Sequence, residues 1–326
     1  MLITQTPLRV SFLGGGTDYP AHFEQHGGAV LATAIDKSAF FSVSRFYSQL
    51  FDYSVRVSYR KVECVDSIEE LEHAPFRECL RWCGIERDVE VDYAAELPAF
   101  TGLGSSSTFV VGLLNALHAF QGNRTDPLEL AYQAIAVERE ALGEAVGCQD
   151  QVLAAVGGFN VVEFRATDDI LVHPIQLTER RLEEIQNHCM LFYTGIKRRA
   201  EPLARGYERD ASDRKNELLA LRRMVDEGHN ILTAHGPLDP FGELLHRGWM
   251  MKKSLTAGIT NETVEKIYQE GLSSGALGGK LLGAGGGGFI LFFVPPERQD
   301  GFRKNLHYLT EIPTGLNAPG TRVVHS

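Results

Sequence analysis

Apolar positions along the chain keep two rhythms. Residues 8–13, 29–35 and 40–45 are short runs dominated by apolar and β-branched side chains, bounded by glycine or charge, and read as strands. Residues 55–58 and 62–65 alternate weakly, as a hairpin would, and 89–93 is another strand. Between residues 68 and 82 the apolar side chains Leu71, Phe76 and Leu80 recur at helical spacing behind early acids. The same spacing predicts helices over 105–120, 127–142, 179–187, 241–255 and 262–274. Strands follow at 159–164 and 190–193, and a glycine-rich strand–loop–strand fills 277–294. Strands and helices in mixed order predict an α+β fold of two parts, not a doubly wound sheet. A polar break at Thr167, Asp168 and Asp169 suggests the boundary, giving an N-terminal domain over 1–168 and a C-terminal domain over 169–326.

Length and composition narrow the class. At 326 residues and 44% hydrophobic content the chain can bury a large core without covalent staples. With 32 basic and 42 acidic residues its net charge is -10, which argues against general affinity for nucleic acid or anionic membranes. Five cysteines, Cys64, Cys79, Cys83, Cys148 and Cys189, form no CxxC pair and suit a reducing, cytoplasmic setting. No signal-peptide pattern opens the sequence, and no apolar run has membrane-spanning length. Oligomer formation is left open by the sequence.

Three glycine-rich segments and one acidic element carry the candidate chemistry. In PAFTGLGSSS (98–107), Gly102 and Gly104 precede a strongly apolar helix, which puts Ser105, Ser106 and Ser107 at a helix N-terminus. Free N–H groups and the helix dipole there favour phosphate. The spacing is not that of a Walker A loop, and a plain glycine loop with a serine cap also accounts for it. In LRVSFLGGGTDY (8–19) a strand carries Arg9, and three glycines deliver Thr17 and Asp18. Asp18 could accept hydrogen bonds from sugar hydroxyls or merely brace a turn. In GGKLLGAGGGGF (278–289), Gly285 and Gly286 fall in a run without side chains that lets backbone approach a ligand or another loop, or that simply forms a flexible turn. The element GCQDQ (147–151), preceded by Glu138 on a helix, offers two carboxylates that could serve one metal-bound phosphate.

The joint order of these segments resembles the GHMP kinase superfamily, over nearly the whole chain. The 7–19 segment resembles its first motif, 98–107 its phosphate loop, 281–289 its third motif, and 147–151 the catalytic Asp loop of galactokinases. The resemblance implies a ribosomal-protein domain-2-like N-terminal domain, a ferredoxin-like C-terminal domain, and ATP between them. It implies that Gly102, Leu103, Gly104, Ser105, Ser106 and Ser107 cradle the triphosphate, that Ser106 and Glu138 hold Mg²⁺, and that Asp150 and Arg9 are catalytic. Asp150 would act as base or orienting group and Arg9 would offset developing charge. Gly15, Gly16, Thr17, Asp18, Gly285 and Gly286 would face the acceptor.

Within the superfamily, the first and third motifs and YTGI (193–196) are similar to D-glycero-D-manno-heptose 7-phosphate kinases. Fucokinases share part of the pattern. Galactokinases carry an acid and a histidine where this chain has Gly15 and Gly16, a loss that opens room for an acceptor bearing a phosphate. The implied reaction is transfer from ATP to the anomeric hydroxyl of a heptose 7-phosphate, giving a 1,7-bisphosphate for nucleotide-activated heptose synthesis. The alternatives are a kinase of an unphosphorylated sugar such as fucose, or a non-catalytic nucleotide-binding regulator. Lys253, just before the third motif, is the favoured cation for a substrate phosphate, with Lys197, Arg198, Arg199 and Lys252 as further candidates.

Overall fold

The computed structural model describes residues 1–196, 214–255, 258–283 and 285–326. It is an α+β molecule built on two sheets. The eight-stranded first sheet has the path β12-β1-β2-β5-β3-β4, and β6 and β7 branch from β2. Its strands are β1 (Leu2–Leu13), β2 (Gly28–Arg45), β3 (Val55–Ser58), β4 (Val62–Val65), β5 (Val89–Ala95), β6 (Phe159–Ala166), β7 (Asp169–Pro174) and β12 (Arg322–His325). The second sheet is antiparallel, ordered β11-β8-β10-β9, from β8 (Cys189–Tyr193), β9 (Gly278–Leu281), β10 (Phe289–Phe293) and β11 (Thr310–Glu311). The helices are α1 (Pro20–His26), α2 (Ala74–Trp82), α3 (Ser105–Phe120), α4 (Pro127–Ala136), α5 (Gln149–Val156), α6 (Glu179–His188), α7 (Lys215–Thr233), α8 (Asp239–Leu255), α9 (Glu262–Ser273) and α10 (Gln299–Asn305).

Two runs expected as separate strands, 29–35 and 40–45, are one strand. Its first half pairs with β6 and its second half with β5, so β2 is the spine of the sheet. The expected helix over 68–82 starts later, because Pro75 lacks an N–H and is accommodated only in the first turn, as in α2. The expected helix over 127–142 is α4 followed by a π-helical turn, Val137–Ala141, which contains Glu138. Helix α5, whose first turn carries Asp150, has too little periodicity to be read in advance.

Burial on both faces explains the continuous apolar runs. In β10, Phe292 packs on Tyr268 and Phe302, while Phe293 meets Phe241 on the other side. Phe12 of β1 joins the same core through Phe159 and Phe241. A second core lies between the first sheet and α2 to α5, around Phe41, Phe76 and Phe109. Division at residue 168 would part β6 from its neighbour β7. The chain also returns at its end, where β12 pairs with β1.

Candidate active site

Five segments converge on one cleft: the end of β1 with its glycine turn, the loop into α3, the start of α5, the end of α8, and the loop between β9 and β10. Period-two geometry puts Arg9 and Ser11 on one face of β1. Arg9 donates from Nε to Asp150 Oδ1 at 2.7 Å, from Nη2 to Oδ2 at 2.6 Å, and from Nη1 to the Gly102 carbonyl at 2.7 Å. This fork fixes the Asp150 carboxylate and ties β1, α5 and the loop into α3 together. Gly104 precedes α3 with φ +77, and a Cβ there would lie 3.3 Å from both Arg9 Cγ and Asp150 Oδ2. Glycine is needed for the left-handed turn and for that approach. The first turn of α3 has no side-chain cap, so its N–H groups remain for an anion. Phe100 stands at the cleft with φ 63, exposed.

Buried charge concentrates here. Asp18 is buried, and its carboxylate accepts from the backbone N–H of Gly16 at 2.9 Å and of Gln149 at 3.4 Å. Burial raises its pKa, and the neighbouring Asp150 adds to the rise. Lys252 reaches in from α8 and donates to the Gly283 carbonyl at 2.8 Å. Its burial pulls the ammonium down to about 8, with Asp18 and Asp150 opposing the fall. Lys280 of β9 donates to the Phe12 carbonyl at 3.0 Å, and burial lowers it well below the usual lysine range. Glu138 is fully buried, its carboxylate accepting from Ser107 Oγ at 3.1 Å and from Gln151 Nε2. Burial, helped by Glu144, pushes its pKa up to about 8.

Most of the expected residues meet in this cleft. Arg9, Gly16, Asp18, Gly102, Gly104, Ser105, Ser106, Ser107, Asp150 and Gly285 line it. Gly15 lies just behind, its face toward Lys252. Leu103 is instead fully buried, and its carbonyl accepts from the Arg9 N–H. Thr17 is also buried, its hydroxyl spent on the Gly14 and Ala29 carbonyls. The Gly286 N–H bonds to the Ile259 carbonyl. The serine that reaches Glu138 is Ser107, while Ser106 is exposed to the cleft. Lys253 is not brought to the cleft: its ammonium sits 2.9 Å from Glu265 and over the Trp249 and Tyr268 rings. Lys252, one residue earlier, occupies the place expected for it. Lys197, Arg198 and Arg199 lie outside the described residues. Gln149, Gln151 and Lys280 lie within the GCQDQ and GGKLLGAGGGGF segments but were not singled out there.

A glycine loop on a helix N-terminus, an Arg–Asp fork and a second glycine loop from another sheet meet in this one cleft. The family patterns agree: that for the GHMP kinases N terminal domain matches residues 66–158, and that for GHMP kinases C terminal matches 230–308, together more than half of the chain. The chain belongs to the GHMP kinases. It is an ATP-dependent kinase with a hydroxyl acceptor. It is 28% identical over 306 residues to a D-glycero-alpha-D-manno-heptose 7-phosphate kinase of Campylobacter jejuni, covering 91% of this chain and 90% of that protein. It is 26% identical to an L-fucokinase/L-fucose-1-P guanylyltransferase of Bacteroides fragilis, over 98% of this chain but 36% of that protein. The solved D-glycero-D-manno-heptose 1-phosphate kinase from Bacteroides thetaiotaomicron superposes with a TM-score of 0.82 at 22% identity, over 100% of this chain and 99% of that one. No helix among the described residues is long and apolar enough to cross a membrane.

Proposed function

We propose that the chain transfers the γ-phosphoryl of ATP to the anomeric hydroxyl of a heptose 7-phosphate, giving the 1,7-bisphosphate for nucleotide-activated heptose synthesis. The observation that carries this is the cation the cleft holds beside its Arg9–Asp150 pair: Lys252, buried and lining the cleft. Cations kept out of water are costly unless an anion answers them. A phosphorylated acceptor supplies one beyond the ATP phosphates. The name of the Campylobacter jejuni relative supports the same acceptor.

In this reading the N–H groups at the start of α3 receive the ATP phosphates. Asp150, held in place by Arg9, accepts a hydrogen bond from the anomeric hydroxyl and orients or deprotonates it. Arg9 offsets charge on the transferred group, and Asp18 holds a sugar hydroxyl. Mg²⁺ fits the residues present. Ser107, Glu138 and Gln151 bring oxygens together at the start of α3, with Gln151 Oε1 buried without a partner, and Ser106 would offer its hydroxyl from the cleft side. When bound with ATP, the ion would neutralise phosphate charge there.

A coupled ADP-release assay across heptose 7-phosphate, free heptose and fucose tests the substrate. We expect kcat/KM for the 7-phosphate to exceed that for free heptose by about 10- to 150-fold, the worth of one charge-assisted contact at roughly 1.5–3 kcal/mol. Equal rates would hand the site to the fucokinase-like reading. For Asp150→Asn we expect turnover to fall by about 10²- to 10⁴-fold while calorimetry shows ATP still bound. Turnover near the wild-type rate would take Asp150 out of the mechanism.

A further inference from the structure

The glycine turn after β1 contains a position that has no backbone reason to be glycine. Gly14 and Gly16 have φ +81 and +106 and belong to the left-handed region, but Gly15 does not. A Cβ on Gly15 would meet nothing closer than ordinary contact, and what it would meet is polar on every side: Ser11 Oγ at 3.7 Å, Gln149 Nε2 at 3.8 Å and Lys252 Nζ at 3.8 Å. A side chain is absent there, then, for space and not for conformation. Three donors from three elements, β1, α5 and α8, surround the space so left.

Those donors have unspent capacity. Ser11 Oγ is buried without a hydrogen-bond partner, in a residue only 5% exposed. Gln149 turns the donor end of its amide, Nε2, toward the same space. Lys252 has three N–H groups, one of which points to the Gly283 carbonyl. A buried hydroxyl left unmatched is unfavourable until a partner fills the space. Asp18 and Asp150 favour the ammonium through their charge, but the hydrogen bonds of their carboxylates go elsewhere: Asp150 is engaged by the Arg9 fork, and Asp18 takes backbone N–H groups from Gly16 and Gln149.

We infer that Ser11, Gln149 and Lys252, with Gly15 as floor, form the recognition nook for an anionic phosphate on the acceptor, and that this nook sets the preference for a phosphorylated sugar. The inference rests on the heptose 7-phosphate reading above. A hydroxyl, an amide and an ammonium together satisfy several oxygens of one phosphate, and the ammonium answers its charge. A neutral hydroxyl on the sugar would bring Lys252 no charge to pair with.

The decisive quantity is the ratio of kcat/KM for sugar phosphate to kcat/KM for the free sugar, measured in wild type, Gly15→Ala and Ser11→Ala. Gly15→Ala fills the nook with one methyl group in a permitted conformation. Ser11→Ala removes a donor with almost no change of shape and serves should the first variant fold poorly. We expect the ratio to fall by about 10- to 100-fold in Gly15→Ala and by several-fold in Ser11→Ala, with the KM for ATP unchanged. Calorimetry with the sugar phosphate alone should show the same loss of affinity. Lys253→Ala, outside the nook, should keep the wild-type ratio. If the variants raise the KM for ATP and keep the ratio, the nook serves the donor and the inference fails. If wild type prefers the sugar phosphate and both variants keep that preference, the nook is wrong while the substrate stands. If wild type shows no preference, the heptose 7-phosphate reading falls and takes the nook with it.

Discussion

Glu138 shows how one buried side chain can tie stability to pH. Among the described residues its hydrogen bonds are to a serine hydroxyl and a glutamine amide. With its folded pKa pushed up to about 8, the folded protein holds a proton that the unfolded chain releases at the ordinary carboxylate value of 4.5. Between those values the native state binds more protons than the unfolded state, so stability falls as pH rises. For Glu138→Gln, which cannot ionise, we expect the melting temperature of the nucleotide-free protein to gain on wild type from about pH 4.5 to about 8, and the gap to level off above it. A gap that stays constant across this window would show that Glu138 ionises freely. Mg²⁺ with ATP should narrow the gap, because a bound cation favours the carboxylate.

Among elements, the start of α3 and the end of α8 decide what the cleft can do. Gly104 holds the loop before α3 in a left-handed turn beneath the Arg9–Asp150 fork. Gly104→Ala should cost about 1–2 kcal/mol from the turn alone and should also displace the fork, since its Cβ would press on both partners at 3.3 Å. We expect kcat to drop at least tenfold in steady-state assays, from a misplacement of the kind that catalysis tolerates poorly. A variant that melts earlier but turns over normally would separate the turn from the fork. On α8 the lesson is one of register. Phe241, Leu244, Leu245, Gly248, Trp249, Lys252 and Leu255 form its buried stripe. Lys252 falls on that stripe and Lys253 about 100° away. The i, i+3, i+4 spacing was in the sequence, and a lysine on an apolar stripe was the signal that separated the two.

The whole molecule is closed by its own C-terminal segment. Thr321 Oγ1 lies 2.7 Å from Thr6 Oγ1 and accepts from Asn115 Nδ2 at 2.9 Å, and the Thr321 N–H reaches the Ala154 carbonyl at 2.9 Å. One residue thereby links β1, α3 and the end of α5 across more than 160 positions of sequence. Thr321→Val should leave the buried Thr6 hydroxyl unpaired and destabilise the fold by roughly 1–3 kcal/mol, read by chemical denaturation. The KM for ATP should not move. An unchanged unfolding midpoint would mean that the Thr6 hydroxyl finds another partner.

Much of this protein is decided locally. Glycine turns, the helix start at Ser105, the apolar strands and the amphipathic helices follow from neighbours a few residues apart. The Arg9–Asp150 pair spans 141 residues and joins two motifs each visible on its own, but their contact was not. Which serine meets Glu138, which of two lysines enters the cleft, and what surrounds Gly15 depend on helix rotation and on packing between distant segments. Sequence spacing fixes the face a residue occupies within its own element. Only the tertiary structure fixes what that face is turned toward, because orientation is set by burial summed over the whole core.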